Sequence, residues 1–226
     1  MTTAPARRPV AGSSTADPFL HLSEIILDTE GRAVWKDLHN RSLLHHRIQS
    51  LFPDGYTPGH RVLYRVERRP QGPVLLVQAG LPVNGNALPR HYAAHIATRD
   101  LTPLLDWIEA GRTVHYRIDA NPNTPHNRPG QHWPRRTPLS GDDAVHWWVR
   151  HAATAGLDAL TVTGTGLETV LADRGEGRPL RLPAVRFDGT AQITDPDALH
   201  EALAAGIGQG KAFGLGLLSL APAERR

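Results

Sequence analysis

Apolar and polar positions in the first half of the chain predict four strands and two helices, the second of them weak. Residues 41–52 carry apolar side chains at helical spacing, which indicates a helix with one buried face. That face would consist of Leu44, Ile48, Leu51 and Phe52. The strand candidates are residues 19–27, 61–67, 74–79 and, after a weak helical segment, about 91–98. The order β-α-β-β-α-β is typical of a ferredoxin-like unit.

The second half repeats this order from about residue 112. Helices are predicted at residues 142–155 and 197–205, and residues 182–187 and 191–193 should form a hairpin across Asp188 and Gly189. The other strand candidates are residues 113–118, 160–163, 170–171 and 216–220. We therefore predict an α+β fold of two tandem ferredoxin-like (RRM-like) domains, residues 18–110 and 111–222, after a disordered tail, residues 1–17.

The amino-acid composition excludes several kinds of metal site and cross-link. The 226 residues include no cysteine, which excludes disulfides, iron–sulfur clusters and thiolate zinc sites. His91 and His95 have the helical spacing of metal ligands, but no third ligand accompanies them, so we expect neither a metal nor a cofactor. No apolar run approaches the roughly 20 residues of a membrane span, and no export signal is visible. We expect a cytoplasmic protein without a membrane partner.

Arginine is concentrated in two loops rich in proline and glycine, residues 121–139 and 173–182. Such loops can supply phosphate contacts, and the first also carries His132 and Trp133. With a strand arginine, the candidate RNA contacts are Arg117, Arg128, Arg135, Arg136, Arg174, Arg178 and Arg181. The net charge of only +3 leaves open an ordinary, slightly basic protein with solvated loops.

The most distinctive segment is the glycine-rich stretch, residues 206–216, which surrounds Lys211 and leads into a short apolar strand. Exposed N–H groups between glycines can bind anions, so Gly208, Gly210 and Lys211 are candidate phosphate contacts. Ala212 follows Lys211 where a P-loop requires Ser or Thr, and a helix precedes the glycines where a Rossmann motif requires a strand. Alternatively, the glycines only permit tight packing between helix and strand.

The helix over residues 41–52 also has an unusual polar side. Ser42, His45, His46 and Gln49 fall within one exposed sector. Imidazole titrates near neutrality and can act as a general base or acid. The alternative is a pair of solvated surface histidines in a histidine-rich chain.

Together these residues resemble the CasE family, the CRISPR repeat-processing endoribonucleases of the type I-E Cascade system. The glycine-rich ending through Pro222 resembles the family's ending almost residue for residue, and residues 116–122, Tyr-Arg-Ile-Asp-Ala-Asn-Pro, resemble the family's Arg-Leu-x-Ala-Asn-Pro. Residues 185–189, Val-Arg-Phe-Asp-Gly, match its late hairpin, and Asp28, Arg32-Ala33 and Asp37-Leu38 match its lead into the first helix.

The resemblance implies tandem ferredoxin-like domains that cleave the CRISPR repeat stem-loop without metal, through the RNA's own 2′-OH. It also implies that the product guide RNA is retained with other Cascade subunits. The family's catalytic histidine falls on His45, its usual tyrosine on Ser42 and its frequent lysine on Ser50. His46 and Ser42 are candidates for a second catalytic group. The alternatives are an RNA-binding Cascade subunit with weak or no cleavage and a small-molecule-binding module.

Overall fold

The first half forms one sheet covered by helices. The computed structural model describes residues 20–56, 61–126, 135–173 and 180–223. The strands of the first sheet are β1 (His21–Leu27), β2 (Leu63–Arg69), β3 (Gly72–Ala79) and β4 (Ala93–Asp100), in the order β2-β3-β1-β4 with every neighbour antiparallel. Its helices are α1 (Arg32–His39), α2 (Arg41–Gln49) and α3 (Thr102–Trp107).

The second half repeats this arrangement and adds two hairpins. The strands of its sheet are β5 (Thr113–Ala120), β8 (Leu157–Gly166), β11 (Val185–Ile193) and β12 (Leu218–Pro222). They have the order β12-β5-β11-β8 with every neighbour antiparallel, and the helices are α4 (Gly141–Thr154) and α5 (Pro196–Ala205). The hairpin strands are β6 (Asn123–His126), β7 (Arg135–Pro138), β9 (Val170–Ala172) and β10 (Leu180–Leu182).

In each sheet, the first strand of the unit lies between the third and the fourth, which is the ferredoxin-like arrangement. The predicted fold of two tandem ferredoxin-like domains is therefore confirmed. The domain boundary at residues 110 and 111 remains a prediction, and Leu105, Trp107 and Ile108 pack with the core of the second sheet. The predicted tail, residues 1–17, lies outside the described residues. None of the described helices has the length and apolar character needed to span a bilayer.

Helix α2 forms as its sequence predicts. The side chain of Asn40 caps it by accepting a hydrogen bond from the Ser42 N–H at 3.0 Å. Leu44 and Ile48 are buried on its inner face, and Leu51 and Phe52 are buried in the turn that follows. The prediction of this helix and of its buried face is confirmed, although the helix ends at Gln49. The opposite side of α2 is left for polar side chains.

Two local predictions were wrong. Asp188 and Gly189 form no hairpin but lie within the continuous central strand β11. A β-carbon at Gly189 would collide with the carbonyl oxygen of Thr161 and lie 2.6 Å from the Tyr116 hydroxyl, so this glycine permits close strand approach rather than a turn.

The weak helical segment predicted before residue 91 was also wrong, whereas the strand predicted at about residues 91–98 is confirmed. His95 lies on β4, His91 lies just before that strand, and the preceding connection forms a single 3-10 turn, Gly85–Ala87. The two imidazoles therefore do not share a helix face. Over the described ranges, no three His, Asp or Glu side chains gather where they could hold a metal ion.

A buried arginine joins the two sheets. Arg65 on β2 is 2% exposed and donates to Glu67 through Nε and Nη2, at 3.0 and 2.8 Å. Its Nη1 donates to the carbonyl of Leu217 at 3.0 Å and its Nη2 to the Ser219 hydroxyl at 2.9 Å, both in the second half. A buried charge is tolerated when it is paired and hydrogen-bonded, and here the partners come from both sheets.

The glycine-rich segment is the second connection between the halves. A β-carbon at Gly206 would lie 2.8 Å from Leu63, and one at Gly214 would lie 2.8 Å from the ring of Tyr64. The Tyr64 hydroxyl donates to the carbonyl of Ala212 at 3.1 Å. Glycine is therefore required here by contact with β2 as well as by backbone conformation, because Gly214 has a φ of 86°.

We predict that Gly214→Ala lowers the free energy of unfolding by about 2–4 kcal/mol, since it combines a left-handed backbone with overpacking against Tyr64. Gly166→Ala is the matched control, because nothing lies within 4 Å of its β-carbon position, and it should change stability by less than about 0.5 kcal/mol. Urea unfolding of both variants measures the difference. Equal stability of the two variants would contradict the packing role of the glycine-rich segment.

Candidate active site

A cleft of about 1000 Å³ opens between the two halves. One wall consists of α2 and the residues after it, and the other consists of α5 and the 3-10 turn Lys211–Phe213. The polar side chains that line the cleft are His45, Gln49, Ser50, Asp54, Tyr56, Arg61 and Glu201. Phe52 and Tyr56 stack at 5.1 Å between ring centroids and form an aromatic part of the wall.

His45 is half-buried in the wall of this cleft. Burial lowers its pKa, and the neighbouring His46 lowers the pKa further because a second positive charge disfavours protonation. The two rings lie 5.9 Å apart and are tilted by 51°. A histidine with a lowered pKa is neutral near pH 7 and can accept a proton, as a general base must.

The other two predicted catalytic residues lie elsewhere. His46 is exposed and does not line the cleft. The Ser42 hydroxyl donates to the carbonyl of Asp173 at 2.5 Å and accepts from the Asp173 N–H at 3.0 Å, so it fastens α2 to the end of β9. Ser50 lines the cleft, but its hydroxyl donates to the carbonyl of Arg47 at 2.8 Å. The structure thus brings His45, and not Ser42 or His46, to the cleft.

Two cations lie at or beside the cleft, because Arg61 lines it and Lys211 directly precedes the lining residue Ala212. Lys211 lies half-buried in the 3-10 turn, and its pKa is lowered by burial and then by the positive charge of Arg61. Among the described residues, no carboxylate forms an ion pair with Lys211 or Arg61. Sequence reasoning missed Arg61, which it placed inside a strand. Strand β2 begins only at Leu63, and Arg61 is exposed at the cleft.

The candidate glycines serve packing. Gly208 and Gly210 have φ values of 76° and 80°. A β-carbon at Gly208 would lie 3.1 Å from the ring of Trp147, and one at Gly210 would lie 2.9 Å from Leu215. The alternative that these glycines permit close packing therefore has direct support at both positions, and Lys211 is the charged group of the segment.

The described candidate arginines have different surroundings. Arg136 on β7 donates to Asn123 at 2.9 Å, and Gln209, with its amide oxygen turned to the guanidinium, accepts from both Nη atoms at 2.8 and 2.7 Å. This contact ties the β6–β7 hairpin to the glycine-rich segment. Arg117 is paired with Asp188 at 2.6 Å, and Arg181 is exposed on β10.

The remaining arginine predictions are not placed by the structure. Arg128, Arg174 and Arg178 lie outside the described residues, and of Arg135 only the backbone in β7 is described. Both arginine-bearing loops nevertheless connect the strands of a hairpin, β6–β7 in one case and β9–β10 in the other.

Comparison with known proteins shows which family the chain matches. The CRISPR-associated protein family model matches residues 20–222. The chain is 30% identical over 215 residues to the CRISPR-associated endoribonuclease Cse3 of Thermus thermophilus, covering 89% of this chain and 99% of that protein. It is 29% identical to the Cascade subunit CasE of Escherichia coli, covering 90% and 100% of the two chains.

The fold is also that of a solved complex. The structure of Thermus thermophilus Cse3 bound to an RNA representing a pre-cleavage complex superposes with a TM-score of 0.76 at 27% identity. That match covers 90% of this chain and all of the other. The matched residues 20–222 include both sheets and the glycine-rich segment. The chain therefore belongs to the family of CRISPR-associated proteins.

Proposed function

We propose that the protein is a metal-independent endoribonuclease that binds the CRISPR repeat stem-loop of precursor RNA and cleaves it to give guide RNA. The observation that carries the proposal is His45, a histidine with a lowered pKa in the wall of a cleft that Arg61 also lines, with Lys211 beside it next to the lining residue Ala212. The similarity to Cse3, an endoribonuclease, and to CasE, a Cascade subunit, supports the substrate and the retention of the product within a Cascade complex. We also propose that this activity takes place in the cytoplasm.

The chemistry follows from the groups at the cleft. Neutral His45 removes the proton of a ribose 2′-OH, and the 2′-oxygen attacks the adjacent phosphorus. The bond from phosphorus to the 5′-oxygen breaks, and the imidazolium formed in the first step can donate the proton that this oxygen takes. Arg61 and Lys211 would stabilise the negative charge that develops on the phosphorane. The products are a 2′,3′-cyclic phosphate and a 5′-hydroxyl.

A second candidate function has a specific observation in its favour. The two positions that the resemblance associates with tyrosine and lysine are Ser42 and Ser50, and both hydroxyls are hydrogen-bonded to backbone carbonyls. A protein with a depleted set of catalytic groups could serve as an RNA-hairpin-binding Cascade subunit with weak or no cleavage. The rate of cleavage under single turnover distinguishes the two functions.

We predict that His45→Ala lowers the single-turnover cleavage rate of the cognate repeat hairpin by about 10²–10⁴-fold, the usual contribution of general acid–base catalysis. Hairpin affinity should stay within a few-fold, because the imidazole is not part of the core. His46→Ala is the matched control and should cleave within a few-fold of the wild type, since it does not line the cleft. EDTA should leave the wild-type rate unchanged. Equal rates for wild type and His45→Ala would refute the assignment of the base.

The pH dependence should report the contact between the two histidines. Cleavage needs neutral His45, so the rate should fall as pH decreases through the pKa of His45, which burial and His46 hold below the ordinary value of a histidine. His46→Gln removes the neighbouring positive charge, so it should raise the pKa of His45 and shift the acidic limb to higher pH. Rates measured across the acid range test this prediction. A limb that stayed in place or moved to lower pH would contradict it.

A further inference from the structure

Two further hollows lie between the halves, apart from the His45 cleft. The two hollows have volumes of about 410 and 270 Å³ and share Arg41, Val66, Arg68, Glu168 and Val170 in their walls. They have no lining residue in common with the cleft at His45. Together they form a groove beside the first turn of α2, and we call it the Arg41 groove.

The guanidinium of Arg41 is the unusual feature of this groove. Its Nη1 is buried, and no described residue offers it a hydrogen-bond partner. Burial takes much of the guanidinium out of water and lowers the pKa of Arg41. Buried polar atoms in proteins are nearly always hydrogen-bonded, and an unpaired buried cation is costly. Among the described residues, the Nη1 of Arg41 is therefore a buried donor without an acceptor.

Among the described residues that line the groove, the ion pairs leave Arg41 as an excess positive charge. Arg68 pairs with Glu168 at 2.6 Å, and Arg69, which lines the larger hollow, pairs with Glu24 at 2.7 Å. Arg186 pairs with Asp119 through two bonds, at 2.7 and 2.8 Å. Each carboxylate of this set is thus matched by its own arginine, and Arg41 is left over. A ligand with one negative charge would complete the groove.

We propose that the Arg41 groove is a phosphate-binding site in which Arg41 donates to the oxygens of a phosphate group. The planar guanidinium is suited to bidentate contact with phosphate. The phosphate comes either from a phosphodiester of the bound RNA, an assignment that rests on the proposed function, or from a free phosphorylated ligand. Trp35, which is 44% exposed, lines the larger hollow and offers a ring face on which a base can stack, as in single-stranded RNA binding.

The test uses the full chain with Arg41→Met, which keeps the length of the side chain and removes its charge. Arg41→Lys retains the charge without the planar fork and serves if Arg41→Met does not fold. Arg99→Met is the control for loss of one positive charge, because Arg99 is exposed on β4 and lines neither the groove nor the cleft. The two readouts are thermal unfolding in inorganic phosphate or chloride at equal ionic strength, and hairpin RNA affinity as a function of salt.

If the groove binds phosphate, Arg41→Met should raise the stability of the protein but lower its affinity for phosphate and RNA. Without phosphate, Arg41→Met should melt about 2–4 °C above the wild type, because it removes an unpaired buried cation. Phosphate should raise the melting temperature of the wild type and of Arg99→Met but not of Arg41→Met, and should raise that of Arg41→Lys less. RNA affinity of Arg41→Met should fall about tenfold, with the salt slope reduced by about one unit.

The combined results show whether the phosphate belongs to RNA or to a free ligand. Loss of both the phosphate response and RNA affinity in Arg41→Met assigns the site to an RNA phosphodiester. Loss of the phosphate response with unchanged RNA affinity assigns it to a free phosphorylated ligand. A wild type that responds to phosphate but binds no RNA would refute the proposed function and keep the site. No phosphate response in the wild type, or the same response in wild type and Arg41→Met, overturns the site.

Discussion

Close contact between the glycine-rich segment and strand β2 is the constraint on which the candidate site depends. Gly206 lies against Leu63 and Gly214 against the ring of Tyr64, at distances that leave no room for a β-carbon. The 3-10 turn Lys211–Phe213 is thereby held beside α2, and the Tyr64 hydroxyl fixes it through the carbonyl of Ala212. This contact holds the second half against the first where both form the walls of the cleft.

The same constraint shapes the electrostatics of the cleft. His45 and Lys211 are both partly buried, and burial lowers the pKa of each side chain. Arg65, by contrast, is a buried charge between the halves whose guanidinium is fully paired with acceptors from both sheets. The protein thus separates cations that hold the fold together from cations that border the cleft, and Arg41 belongs to neither group.

Local pattern predicted much of the fold but little of what surrounds the site. The buried face of α2 follows from apolar spacing, and His45 follows from the polar side of the same helix and from the family resemblance. The pairing of Ser42 with Asp173 joins residues 131 positions apart, so no local pattern could predict it. Gly189 was misinterpreted because a glycine that permits close strand approach and a glycine that permits a turn look alike in sequence.

Arg61 is another residue whose position at the site could not be predicted from local sequence. Its charge was visible in the sequence, but its place at the cleft depends on where β2 begins and on how the second half packs against the first. Such tertiary placement carries no periodic signal. The glycine-rich segment was predictable as a feature, whereas its packing role required the positions of Tyr64 and Trp147.

The central claim is that a ribose 2′-OH of the RNA, activated at His45, is the nucleophile. The most direct measurement is single-turnover cleavage of a repeat hairpin with one 2′-deoxy substitution at the scissile position, alongside the all-ribose hairpin and analysis of the product ends. The account predicts no cleavage of the deoxy hairpin, unchanged binding, and a 2′,3′-cyclic phosphate from the all-ribose hairpin. Full cleavage of the deoxy hairpin would mean that water is the nucleophile and would contradict the account.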